Sequence, residues 1–235
     1  MILPASLRRA GAVPPARALR SRAMRSHFEG GGGARRRTAL LAALGVTATI
    51  LVLPADAWLV SALEPMRTEG GRRVMLVLTQ LGYGGVDFGV AAVVILAGWV
   101  LGRSYLVRGG LRAAVAVAAA GIAVQVIKHL ACRARPSVAG GGTFFHHVPC
   151  VWGLWDFYSF PSGHAATAAA LAAALGVGAP ALRLPLAAGV VVVMVSRVYL
   201  EWHFPSDVLA GATLGAIAGI LAAAPGGPEG TPPAT

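Results

Sequence analysis

Charge is what this sequence has least of. Only 12% of its 235 residues are Asp, Glu, Lys or Arg, about half the share in a water-soluble domain. A soluble Ala-rich helical bundle would show a charged stripe every three or four residues, and residues 86–102 and 113–127 carry almost no charge. That architecture fits the sequence poorly. Acids number nine, and lysine occurs once, at Lys128, against nineteen arginines. Cysteine occurs twice, at Cys132 and Cys150. Neither thiolates nor carboxylates stand at the spacing of zinc ligands, so the expectation is no metal and no cofactor. The histidines His146, His147, His164 and His203 offer the rival reading of a metal site, but adjacent side chains in extended chain point apart. No internal repeat stands out.

What the chain has instead is apolar length: 56% of it is hydrophobic and the mean hydropathy is +0.69. Apolar runs able to cross or nearly cross a bilayer core of about 30 Å fall at 38–54, 86–107, 111–130, 164–182, 184–202 and 207–224. Ala and Gly dominate them, and small residues let helices approach closely in lipid, where packing holds the bundle together. Pro180 and Pro185 mark a tight link between the fourth and fifth runs. Residues 56–85 are mixed in polarity, with Trp58, Leu63, Met66, Val74 and Leu78 at loosely helical spacing, and read as an interfacial amphipathic segment. The fold class this predicts is all-α: a six-transmembrane helical bundle with a short interfacial segment between spans one and two.

The formal charge of +11 does not imply nucleic acid as a partner. Nine of the twenty cations lie in residues 1–37, opposed only by Glu29. They read as a basic, disordered cytoplasmic tail that follows the positive-inside bias. Met24 offers a second start, and no small-residue cleavage site follows the first apolar run, against a signal peptide. Residues 38–224 form the membrane domain and 225–235 a flexible C-terminal tail. Six spans place both termini in the cytoplasm, together with the loop carrying Arg103, Arg108 and Arg112 and the link carrying Arg183. Arg67, Arg72 and Arg73 on the outer side oppose the bias, partly offset by Glu64 and Glu69. Cys132 and Cys150 flank an outer loop. They either form a disulfide there or remain two buried thiols.

Three polar clusters interrupt the apolar runs, all at the outer edge. The first is Lys128 followed seven residues later by Arg135-Pro136. Pro136 disfavours helix at Arg135, which places that cation in a loop just above Lys128. The second is Pro161-Ser162-Gly163-His164. Ser is a strong N-cap, the first amides of a helix attract an anion, and Gly163 lets backbone approach it closely. The third is Ser196-Arg197, then His203 and Asp207. Pro205 suits the first helical turn, so Asp207 lies about one turn in. There it is placed to accept the Nδ1 proton of His203 and free Nε2 as a nucleophile. Each cluster alone also reads as snorkelling cations or a capped turn.

In this order and spacing the clusters resemble the three-part signature of the type 2 phosphatidic acid phosphatase superfamily. The resemblance covers residues 128–207. The run Ser159-Phe160-Pro161-Ser162-Gly163-His164, with Ser196-Arg197 through Ser206-Asp207, is similar to its bacterial membrane branch. It implies that Lys128, Arg135, Ser162, Gly163 and Arg197 bind phosphate, His203 attacks phosphorus, His164 serves as acid and base, and Asp207 orients His203, without metal. The implied protein is a phosphatase in the bacterial inner membrane with its site facing the periplasm, acting on a phosphorylated lipid. Polyprenyl diphosphate leads, before phosphatidylglycerol phosphate, phosphatidate and the 1-phosphate of lipid A. An anion or lipid transporter is the alternative outside enzymes. Arg133 reads as a solvated loop cation before a contact to a second phosphate, and His129 as interfacial, while His146, His147, Phe144, Phe145, Trp152 and Trp155 either shape the loop that meets the headgroup or pack at the interface. The oligomeric state is open.

Overall fold

A computed structural model describes residues 36, 38–138, 141–145, 150 and 155–224. His146, His147, Trp152, nearly all of the basic tail and the whole C-terminal tail lie outside the described residues. Within them the regular structure is entirely helical. We number the principal helices α1 (Thr38–Ala62), α2 (Glu69–Leu78), α3 (Gly84–Val100), α4 (Ser104–Ala131), α5 (Gly163–Gly178), α6 (Arg183–Tyr199) and α7 (Pro205–Ala223).

Five of the predicted apolar runs each correspond mainly to one helix with shifted ends, whereas the run at 86–107 covers α3, the break at 101–103 and the first four residues of α4. Helix α4 begins seven residues earlier than the run at 111–130, taking Arg108 and Arg112 into its first turns. Helix α1 runs on to Ala62, so Asp56 belongs to the first span and not to an interfacial segment. By length and composition α1, α4, α7 and the stretch Pro180–Tyr199 can each cross a bilayer. A further candidate is the bent pair Glu69–Gly82 and Gly84–Val100, which meet at 51°. The fourth predicted run is a 16-residue apolar helix, α5. Side chains such as Leu44, Val93 and Ile122 point outward, as a lipid-facing surface requires.

Local chemistry explains the helix ends that build the site. Helix α4 stops where Cys132 adopts the left-handed conformation, with φ 38°, and its amide closes on the Lys128 carbonyl. Helix α7 opens with Pro205 at its first position, where a missing N–H is no loss.

Helices α5 and α7 meet main chain to main chain. Gly211, Gly215 and Gly219, spaced by one turn, face the carbonyl oxygens of Ser162, Ala166 and Ala170. A Cβ on Gly219 would stand 2.6 Å from the Ala170 oxygen, and one on Gly215 would run into that of Ala166. Ala113, Ala116, Val117, Ala120 and Val124 of α4 pack beside Ala166, Ala170 and Ala174 to complete the core.

Candidate active site

Four helix ends converge at one end of the bundle. Lys128, in the last turn of α4, is buried and donates to the carbonyl of Tyr158. Arg135 lies beyond the helix, in the loop where Pro136 predicts it. Its Nε donates to the Trp155 carbonyl at 2.8 Å and its Nη1 to the Trp202 carbonyl at 3.3 Å. Arg197, near the end of α6, is buried, stacks 4.3 Å over the Trp202 ring and donates to Thr79 Oγ1 at 3.2 Å. All three cations lie within electrostatic reach of His164, at the head of α5. Lys128 and Arg197 act in the same way on His203.

Ser162 occupies the N-cap of α5, yet its hydroxyl makes no cap bond. Its amide donates to the Asp207 main-chain carbonyl at 2.9 Å, joining the heads of α5 and α7. Ser162 Oγ and Arg197 Nε are buried polar atoms left unpartnered by protein. A buried donor without an acceptor is costly, and two in one site point to an anion as the missing acceptor. Gly163 fits that view. A Cβ there would meet Val124 at an ordinary 3.7 Å, so packing does not demand glycine, and the bare backbone leaves room for a ligand.

His203 is buried in the short connection between α6 and α7. Its Nδ1 faces the Ser159 carbonyl at 2.7 Å, whereas Asp207 Oδ2 stands 3.6 Å away. The expected direct bond from Nδ1 to the carboxylate is therefore replaced by one to main chain. The reason is crowding at Oδ2, which already accepts from Ser159 Oγ at 2.5 Å and from the Phe204 amide at 2.8 Å. Since a carbonyl only accepts, Nδ1 carries the proton and Nε2 is the nitrogen with a free lone pair. Burial, with the charges of Lys128 and Arg197 and against the pull of Asp207, holds this imidazole well below its usual 6.5. It is neutral near pH 7.

Arg133 corrects the sequence reading outright. It is not a solvated loop cation: it is 1% exposed. Its Nη1 donates to Asp207 Oδ1 at 2.5 Å and its Nη2 to Asp56 Oδ2 at 2.7 Å. Asp56 is not legible in the sequence as part of the site, and Ser159 is legible only as the start of the run that leads to His164. The one available signal is an acid close to the end of an apolar run, where an ionisable group is expensive. The cysteine alternatives resolve to a Cys132–Cys150 disulfide with Cα atoms 5.3 Å apart. His129 bonds the Gln125 carbonyl at 2.7 Å and packs on Tyr158, and Trp155 packs edge-on to the same tyrosine. Among the described residues, no three His, Cys, Asp or Glu side chains are grouped as metal ligands.

Residues 109–224 match the sequence model of the PAP2 superfamily. This stretch of the chain is a PAP2 domain. It holds every helix end that bears the three clusters, and Asp56 falls outside it. Lipid A 1-phosphatase of Rhizobium johnstonii is 35% identical over 103 residues, and that of Rhizobium etli 34% over 103 residues. These matches cover 44% of this chain and only 42% and 44% of the two relatives. The fold resembles that of a transmembrane PAP2-type phosphatidylglycerolphosphate phosphatase from Bacillus subtilis, with a TM-score of 0.58 and 27% identity. That likeness covers 81% of this chain and 92% of the other. LpxE of Aquifex aeolicus shares the fold, with a TM-score of 0.56 at 21% identity over 71% and 93% of the two chains. With its long apolar helices, the chain is a multi-pass bacterial membrane protein that contains this domain.

Proposed function

We propose that the PAP2 domain hydrolyses the terminal phosphate of a membrane lipid through a phosphohistidine intermediate. The observation that carries this reading is the pair of unpartnered buried donors, Ser162 Oγ and Arg197 Nε, in a site that also gathers Lys128 and Arg135. These groups and the amide of Gly163 hold the phosphate dianion. His203 Nε2 attacks phosphorus in line; the bond from phosphorus to the lipid oxygen breaks, and His164 protonates that oxygen. His164 then takes a proton from water as water attacks phosphorus, the P–N bond breaks, and inorganic phosphate leaves. Placement and fixed positive charge supply the stabilisation that phosphoryl transfer needs.

The site faces the periplasm in this reading. Arg103 and Arg183 sit at the opposite end of the bundle, where the positive-inside bias wants them. Two of the outer arginines that weaken the bias are paired: Arg67 with Glu201 at 3.0 Å and Arg73 with Glu69 at 3.1 Å. The disulfide beside the site suits an oxidising compartment. A largely apolar cavity of about 600 Å³ between α1, α5, α6 and α7 is lined by Ala169, Leu209, Ala216 and Ile220 and extends to Arg183 at the far end of the bundle. It suits a lipid tail. The identity to two lipid A 1-phosphatases makes the 1-phosphate of lipid A the first substrate to test, ahead of polyprenyl diphosphate.

The test is phosphate release by detergent-purified protein, in EDTA, from lipid A, polyprenyl diphosphate, phosphatidylglycerol phosphate and phosphatidate. Release from at least one, lost in His203→Ala, is expected. Folded protein that releases phosphate from none, or a His203→Ala variant that retains most activity, overturns the proposal.

A further inference from the structure

The PAP2 domain's nucleophile loop is fastened to a residue outside the matched segment. Asp56, on α1, is buried, as are Arg133, Ser206 and Asp207. Its Oδ1 accepts the Ser206 amide at 2.9 Å, and its Oδ2 accepts the Ser206 hydroxyl and Arg133 Nη2. A carboxylate from the first span thus caps the first turn of α7, where free amides and the helix dipole favour negative charge.

Arg133 stands between two carboxylates. Nη1 bonds Asp207 Oδ1 at 2.5 Å and Ser206 Oγ at 2.7 Å; Nη2 bonds Asp56 at 2.7 Å; Nε reaches the Gly142 carbonyl at 3.3 Å. The guanidinium lies between the rings of Phe144 and Phe204, 4.6 and 4.4 Å from their centres. Only a planar fork with several diverging donors satisfies all these partners; an ammonium cannot. The carbonyl of Arg133 accepts the Ser159 amide at 3.0 Å, and the carbonyl of Ser159 in turn meets His203 Nδ1. Asp56, Arg133, Asp207 and Ser159 are one connected, buried network ending on the imidazole.

We infer that Asp56 and Arg133 are positioning residues for His203. They do not hold phosphate; they fix the carboxylate and the carbonyl that set the ring. This role rests on the phosphatase reading above. Two consequences separate it from packing alone: the loss should fall on kcat and spare KM, and the His203 connection should loosen.

Asp56→Asn keeps the shape and removes the charge. Its kcat is expected to fall on the order of tenfold or more, as for a lost charge-assisted hydrogen bond, with KM within about twofold and Asp56→Glu recovering part of the loss. Hydrogen exchange over residues 200–207 should quicken. That readout needs no turnover, so it decides the positioning role even if the wild-type protein releases phosphate from no lipid, an outcome that fails only the functional reading. If Asp56→Asn does not fold, Ser206→Ala, which removes the hydroxyl shared by Asp56 and Arg133, is read in the same way. A folded variant with wild-type kcat, a rise in KM alone, or exchange over 200–207 unchanged overturns the inference.

Discussion

Nδ1 of His203 lies 2.7 Å from the main-chain carbonyl of Ser159. The ring is therefore oriented by backbone that is itself held by Asp207, through Ser159 Oγ at 2.5 Å. Asp207→Asn should leave a slow but living enzyme, because the carbonyl remains. A kcat reduced on the order of 100-fold is expected, near the upper end for one charged hydrogen bond. Ser159→Ala should cost less, about tenfold, since it keeps the carbonyl. Steady-state phosphate release checks both; an unchanged rate in Asp207→Asn would remove that residue from the mechanism.

The second expectation concerns pH. Burial holds the folded His203 well below its ordinary 6.5, so below 6.5 the unfolded chain binds the extra proton and the folded one does not. The stability contributed by the neutral ring is complete above that pH and shrinks as pH falls towards the folded value, by up to about 1.4 kcal/mol per pH unit. Detergent melting temperatures measured from pH 7.5 to 5 should drop, and His203→Ala should flatten part of the drop. Wild type and variant falling in parallel would contradict the neutral ring.

A third expectation follows from the contact of α5 with α7. Gly215→Leu forces a side chain into the Ala166 carbonyl and should destabilise by about 1–3 kcal/mol. Gly189→Ala is the control, since its Cβ would meet nothing within 4 Å. Melting in detergent reads both, and equal stability of the two variants would show that α5 and α7 have room to part.

The cavity between α1, α5, α6 and α7 allows a chain-length test. Ala216→Trp fills part of it. Displacing two buried methylenes, about 0.8 kcal/mol each, raises KM for a long-chain substrate about tenfold. A short-chain analogue should be unaffected. The same effect on both substrates would place the tail elsewhere.

The sequence revealed those parts of the site whose residues contrast with their own surroundings. Lys128, His164, Arg197 and Asp207 are polar groups at the ends of apolar runs, and the structure brings them to one end of the bundle with Arg135, Ser162 and His203. Pro205 announced its helix start. Arg133 misled because its chain neighbours are loop residues, while its acidic partners stand 74 and 77 positions away. Asp56 was absorbed into a mixed-polarity stretch for the same reason: nothing near it in sequence reveals a buried counter-charge. The early start of α4 was hidden by Arg108 and Arg112, which periodicity alone assigns to a loop. Spacing could not decide the pairing of the cysteines, which depends on a through-space separation.

The glycine row on α7 sets what this architecture is free to change. With carbonyls of one helix seated against bare Cα atoms of the other over three successive turns, neither rod can slide or roll without opening a gap along its length. His164 and the connection bearing His203 then behave like the jaws of a fixed vice. Bulkier or smaller headgroups have to be accommodated at the rim, while the grip stays the same width.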